Sequence, residues 1–261
     1  MELIKTAVRV GNSAGVLLPK EYLNSEVKIT LTPRNIEKEV INILLNENLL
    51  KDILGIYVTG SYARKEETIE SDIDVLVITN NTDKRIKKEK YDLLLISKNN
   101  LEKTLKRNVM PLLPMIKEAK PIINGSLLEE YKNIKLTRKN LKWHVEITKS
   151  IIKVIRAAID LDKELEKTKT GDAPAYSLIL HLRGIYLINC LRKNKSWSSQ
   201  ELINLIRKIS NSTTSYERYL YVKNNNGKIK DLLPIPEAEK LLNYIINENS
   251  KQEKWLKEKK D

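Results

Sequence analysis

The stretch from Gly55 to Ile78 constrains this chain more than any other, because it sets two apolar strands around a turn and a pair of acids. Gly55-Ile56-Tyr57-Val58-Thr59 reads as a short buried strand, and the Gly60-Ser61 turn after it can open a helix whose free N–H groups face an anion. Gly60 lets a phosphate approach the backbone, and the Ser61 hydroxyl can bond it. Ten residues separate Ser61 from Asp72, and the apolar run Val75-Leu76-Val77-Ile78 makes a second buried strand. Asp72 and Asp74 therefore share one face of a strand end, roughly 6 to 7 Å apart at their backbones. Carboxylates so placed can hold one magnesium ion or straddle two about 4 Å apart, with substrate phosphates completing the shell. Arg64 is a further group for neutralising phosphate charge.

These residues resemble the minimal nucleotidyltransferase family, which carries Gly-Ser, ten intervening residues and Asp-x-Asp on a strand of a polymerase-beta-like sheet. That family has a third acid on a later strand, and Tyr91-Asp92-Leu93-Leu94-Leu95-Ile96 supplies one. The resemblance implies that Asp72 and Asp74 bind two magnesium ions and that Asp92 completes the metal site or serves as general base for an attacking hydroxyl. Gly60, Ser61 and Arg64 would hold the nucleotide. The implied reaction moves a nucleoside monophosphate, AMP from ATP, to a hydroxyl of a protein, RNA or small-molecule acceptor and releases pyrophosphate. One position departs from the pattern: Lys65, followed by Glu66 and Glu67, stands where the family often has a small residue. Glu118-Ala119 ahead of an apolar strand also resembles the family, and Glu118 reads as structural rather than catalytic.

At 261 residues and 41% hydrophobic content the chain can bury a substantial core, in one large domain or two to three small ones. A net charge of +13 suits a thermophile's charge-rich surface as well as a nucleic-acid binder. The single cysteine, Cys190, cannot form an internal disulfide and falls in an apolar helical pattern, as a core thiol would. Without a long uncharged apolar run or an N-terminal signal-like region, the expectation is a cytoplasmic protein with no membrane partner.

Residues 1–32 read as a separate unit: Leu3 to Val10, a Gly11-Asn12-Ser13-Ala14-Gly15 turn, Val16 to Lys20, then Val27 to Leu31, all short strands. Thirty residues bury no core alone, so this unit needs a partner. Arg9-x-x-Asn12-Ser13-x-Gly15-Val16-x-Leu18-Pro19 resembles the swapped-hairpin family of the AbrB, SpoVT and MazE types, in which two copies interleave. That resemblance implies a homodimer and DNA contacts through Lys5, Arg9 and Asn12, with Lys20 and Lys28 as lesser candidates.

Residues 33–134 would form the nucleotidyltransferase domain. Thr32-Pro33 would open a helix burying Ile36, Val40, Ile43 and Leu44, Asn80 to Lys90 would be a basic surface loop, and Leu101 to Arg107 a helix. Residues 135–261 read as an up-and-down helical bundle with no strand before Lys208, in which Ser198 to Glu201 cap one helix and Pro234 and Pro236 precede the last. The fold class is therefore α+β: a β-hairpin segment, a mixed sheet with helices, and a bundle.

Such a bundle resembles the substrate-binding halves of larger nucleotidyltransferases and HEPN-type helical domains. Arg138 and His144 fit the HEPN ribonuclease pattern poorly, and both His144 and His181 read as packing or surface positions rather than catalytic ones. Tyr216-Glu217-Arg218-Tyr219-Leu220-Tyr221 suits either stacking on a base beside a phosphate or completion of a helix core. Two other functions fit the chain: a DNA-binding regulator or antitoxin-like protein working through the N-terminal segment, and a nucleotidyltransferase that modifies an antibiotic or other small molecule.

Overall fold

The computed structural model describes residues 3–5, 7–30, 35–69, 71–223 and 233–258. Residues 1–38 form one compact unit and residues 39–261 another. In the first unit, strands β1 (Val8–Val10) and β2 (Ser13–Gly15) pair antiparallel across Gly11-Asn12. Gly11 at φ +60 gives this two-residue turn the left-handed residue it requires. The hairpin is thus tighter than the sequence implied, since β2 begins inside the expected turn, and residues 27–30, expected in a third strand, form none. Too few apolar contacts are available to order more, for no described side chain of residues 3–30 is buried. The expected helix start at Thr32-Pro33 lies outside the described residues.

The second unit is built on a five-stranded mixed sheet of order β5-β6-β4-β3-β7. Helix α1 (Ile36–Asn46) leads into β3 (Ile53–Val58), and the five-residue α2 (Gly60–Arg64) returns the chain to β4 (Ile73–Thr79), antiparallel to β3. β5 (Lys84–Lys88) and β6 (Tyr91–Ser97) follow, with β6 parallel to β4. Then come α3 (Lys98–Arg107), α4 (Leu112–Glu118), β7 (Lys120–Ile123) and α5 (Gly125–Lys132). β5 corrects the reading of residues 80–90 as a plain loop. Its alternation buries Ile86 alone and leaves lysine and arginine on an edge strand, a pattern that discourages edge pairing and hides the strand from a hydrophobicity scan.

Period-two alternation assigns the two faces of the sheet. Ile73, Val75 and Val77 with Tyr91, Leu93 and Leu95 are buried on one side, where Tyr91 donates to Glu39 of α1. Leu76 and Ile78 face the other side and share a cluster with Leu101 and Leu105 of α3 and Leu113 and Ile116 of α4. The same cluster takes in Leu141 and Val145 of α6 (Arg138–Glu164) and Leu187 and Ile188 of α7 (Asp172–Arg192), so sheet and bundle share a core.

A capping box between Thr137 and Asn140 starts the 27-residue α6. β8 (Lys169–Thr170), α8 (Ser199–Ser210), α9 (Thr214–Lys223), β9 (Leu233–Pro234) and α10 (Ile235–Lys257) complete the chain. The short β8–β9 pairing interrupts what the sequence suggested was strand-free. No helix of the described residues is long and apolar enough to cross a membrane. Cys190 is buried in α7, where burial raises its thiol pKa above the ordinary value.

His144 on α6 lies against Gly184 of α7, and its Nε2 atom is buried with no hydrogen-bond partner among the described residues. Burial, with His181 adding repulsion, pushes its pKa down to about 4 from 6.5. Below pH 6.5 the unfolded chain therefore takes up a proton that the folded chain refuses. Stability present above that pH is lost as the pH falls toward 4, by about 3 kcal/mol from this group. Urea unfolding across this range should show His144→Gln losing less stability than the wild type; parallel curves would contradict the assignment.

Candidate active site

The parallel register of β4 and β6 places Asp74 directly beside Asp92. Both side chains point to the face shared with the bundle, because each is two residues from a residue that does, Leu76 and Leu94. Asp72 precedes β4 by one residue and is exposed, while Asp74 is partly buried. Burial raises the Asp74 pKa; Asp92 and Asp72 add to the rise, and Lys223 and Arg183 oppose it. Asp72 and Asp92 are thus each in electrostatic reach of Asp74, as are one cation from α9 and one from α7.

Gly60 begins α2 directly over Asp74. Its φ of +67 is in the left-handed region, and a Cβ there would stand 2.3 Å from Asp74 Oδ2. Glycine is thus required twice, for the backbone angle and for the approach of the carboxylate. Thr59 N–H donates to the Asp74 carbonyl at 2.8 Å, fixing the turn to β4. The Gly60 N–H is already used, donating to Glu118 Oε1 at 2.8 Å. Glu118 also accepts from Arg64 Nη1 at 2.6 Å and from Trp197 Nε1 at 2.8 Å.

Arg64 is therefore not a free phosphate ligand. Its Nε donates to Glu66 at 2.9 Å, and Glu66 accepts from the Ser199 N–H at 3.1 Å and from the Ser199 hydroxyl at 3.0 Å, at the start of α8. Against the penalty of burial, Arg64 and Ser199 together hold Glu66 below the ordinary carboxylate range. Glu66 and Glu118 thereby fasten the turn to the bundle. Lys65 closes α2 at φ 60 and ψ 41, which explains why a small residue suits this position.

Asp92 is also engaged. Arg85 donates from Nε to Oδ1 at 2.7 Å and from Nη2 to Oδ2 at 2.6 Å, and Lys87 stands 3.5 Å from Oδ2. The hydrogen bond from Arg85 is the main reason its pKa lies below the ordinary value. Alternation along β5 puts Arg85 and Lys87 on the acid face, and nothing in a polar run read as a loop signals this. Among the described residues no three acids, histidines or cysteines form a set positioned to hold a metal ion. The donor chemistry nevertheless suits a hard divalent cation: Asp74 is destabilised as an anion by burial and two neighbouring carboxylates, which a cation would relieve. Asp72 and Asp74 are available to hold one, and Asp92 joins them only by exchanging Arg85.

Arg183 and Lys223, missed by sequence reasoning, are exposed and make no ion pair among the described residues. Arg218, by contrast, is buried, holds Asp172 through its Nε at 2.9 Å and lies 4.4 Å from the Tyr221 ring centroid. Tyr219 stacks between Tyr176 and Tyr216 with centroids 5.2 and 6.0 Å apart. Of the two readings of Tyr216 to Tyr221, packing describes Arg218 and Tyr219.

Residues 37–159 match a family model described as Nucleotidyltransferase domain. The matched span holds Gly60, Ser61 and all three acids, and runs into α6. Among solved structures, the chain is similar to a nucleotidyltransferase-like protein from Exiguobacterium sibiricum, at 13% identity and TM-score 0.37, covering 83% of this chain and 75% of that one. It is also similar to spectinomycin adenyltransferase AAD(9) from Enterococcus faecialis, solved with ATP and spectinomycin, at 15% identity and TM-score 0.41, covering 82% and 98%. No match was found among curated protein sequences.

Two substitutions in the turn should act in opposite directions. Gly60→Ala is expected to cost about 1 to 2 kcal/mol through strain and contact with Asp74. Lys65→Gly should stabilise by up to about 1 kcal/mol, because glycine adopts the left-handed cap freely. Thermal unfolding of both variants checks the pair; a stabilised Gly60→Ala protein would show the turn to be built differently.

Proposed function

We propose that the chain is a magnesium-dependent nucleotidyltransferase that moves a nucleoside monophosphate, AMP from ATP, to a hydroxyl of a protein, RNA or small-molecule acceptor and releases pyrophosphate. The observation that carries this reading is the contact of the Gly60 turn with Asp74, beside Asp92, within a span matching a nucleotidyltransferase domain. Asp72 and Asp74 would hold two magnesium ions, with Asp92 joining them. The ions would supply Lewis-acid stabilisation of charge on the phosphates.

The chain's own residues would do the rest. Gly60 and Ser61 shape the turn that receives the triphosphate, and Arg64 keeps that turn in place through Glu118 and Glu66. Arg183 and Lys223 would neutralise phosphate oxygens from the bundle side. Asp92, released from Arg85, is the group in place to orient or accept the proton of the acceptor hydroxyl.

Incubation with each labelled nucleoside triphosphate, magnesium and candidate acceptors should show ATP incorporated best. Asp72→Asn/Asp74→Asn should lower incorporation by about 1,000-fold or more, the scale of losing charge stabilisation at a transition state. Incorporation at the wild-type rate by that variant would refute the assignment.

A second reading concerns residues 3–30, where Val8, Val10, Leu17 and Ile29 are exposed and no described side chain is buried. A segment of this kind gains a core by pairing with a second copy, and Lys5, Arg9 and Asn12 would then face DNA in the manner of the resembling family. Sedimentation should give a dimer for the wild type and a monomer when residues 1–32 are removed. A monomer in both would dispose of this reading.

A further inference from the structure

A groove of about 390 Å³ lies between α3 and α6, away from the acids. Its walls repeat one spacing. Lys103, Lys106 and Arg107 stand at i, i+3 and i+4 on α3, and Lys139, Lys142 and Trp143 stand at the same spacing on α6. All six side chains are exposed. Glu146 is the one acid in the lining among the described residues, and it meets Lys142 at 3.7 Å, an exposed pair that does little to neutralise the groove. Lys103, Lys106, Arg107 and Lys139 pair with no acid among the described residues.

We propose that this groove is a binding site for a single-stranded polynucleotide. Two facing rows of cations suit a phosphate backbone, whose charges recur along a narrow track. Trp143, 40% exposed in the midst of five cations, offers an indole face on which an unpaired base can stack. A duplex keeps its bases stacked inside and cannot use that face, and a run of Asp or Glu residues carries no ring for it. The groove is not lined by any residue of the candidate active site, so the proposal is independent of the transferase reading.

The test uses the full chain without nucleotide or magnesium and a fluorescein-labelled oligouridylate of about 12 nucleotides, matched to common single-strand site sizes. Anisotropy titrations at several salt concentrations should show binding that weakens with salt. Lys139→Ala/Lys142→Ala should lower the slope of log affinity against log salt by about 1.4, that is, about 0.7 for each lost phosphate contact. Trp143→Ala should weaken binding about fivefold or more, and Trp143→Phe should recover most of it. Thermal unfolding verifies that each variant is folded; should Trp143→Ala not fold, the lysine pair and Trp143→Phe still decide. Duplex RNA of equal length and polyglutamate should bind more weakly than the single strand. No binding at low salt, a salt slope unaltered in the lysine variant, full affinity in folded Trp143→Ala, or equal affinity for duplex or polyglutamate would each overturn the proposal.

Discussion

The Glu118 carboxylate is the joint on which the candidate site depends. It accepts hydrogen bonds from the Gly60 backbone, the Arg64 guanidinium and the Trp197 indole, so one side chain ties the turn, the short helix and the approach to α8. A largely buried carboxylate is costly unless its lone pairs are occupied, and three donors occupy them here. The geometry of Gly60 over Asp74 follows, since a turn anchored on Glu118 leaves the glycine no room for a side chain. Arg64 serves that anchor.

A second consequence is that sheet and bundle meet at the acids. Glu66 reaches from the end of α2 to the first N–H of α8, while Arg183 and Lys223 bring positive charge from α7 and α9 toward Asp74. Opposed charges are thus gathered at one seam, acids on the strands and cations on the helices. Asp92 is the exception: its compensation comes from Arg85 on the neighbouring edge strand. A site with both signs in reach can take a phosphate chain on the helical side and a cation on the strand side.

Much of the frame was legible in the sequence because local rules govern it. Ile73 to Thr79 and Tyr91 to Ser97 are strands as their apolar runs imply, and Ser198 caps α8 through the Glu201 N–H as its spacing implies. The mixed α+β class follows from the same patterns. β5 was not legible, since one buried isoleucine among lysines and arginines carries almost no apolar signal. The same gap hid the partners of Asp92. Arg183 and Lys223 were hidden for another reason: both lie over a hundred residues from Asp74 in a charge-rich chain, and only packing selects them. Arg64 and Glu118 were each recognised, but their mutual bond is a tertiary fact that no spacing encodes.

If the Gly60 turn and the bundle together form one triphosphate site, as proposed, calorimetry of ATP binding with magnesium will register the bundle's share. In Arg183→Ala/Lys223→Ala, loss of two charge-assisted contacts should weaken ATP by about tenfold or more, with the fold unchanged by thermal unfolding. An affinity equal to that of the wild type would show that the bundle takes no part in holding the nucleotide.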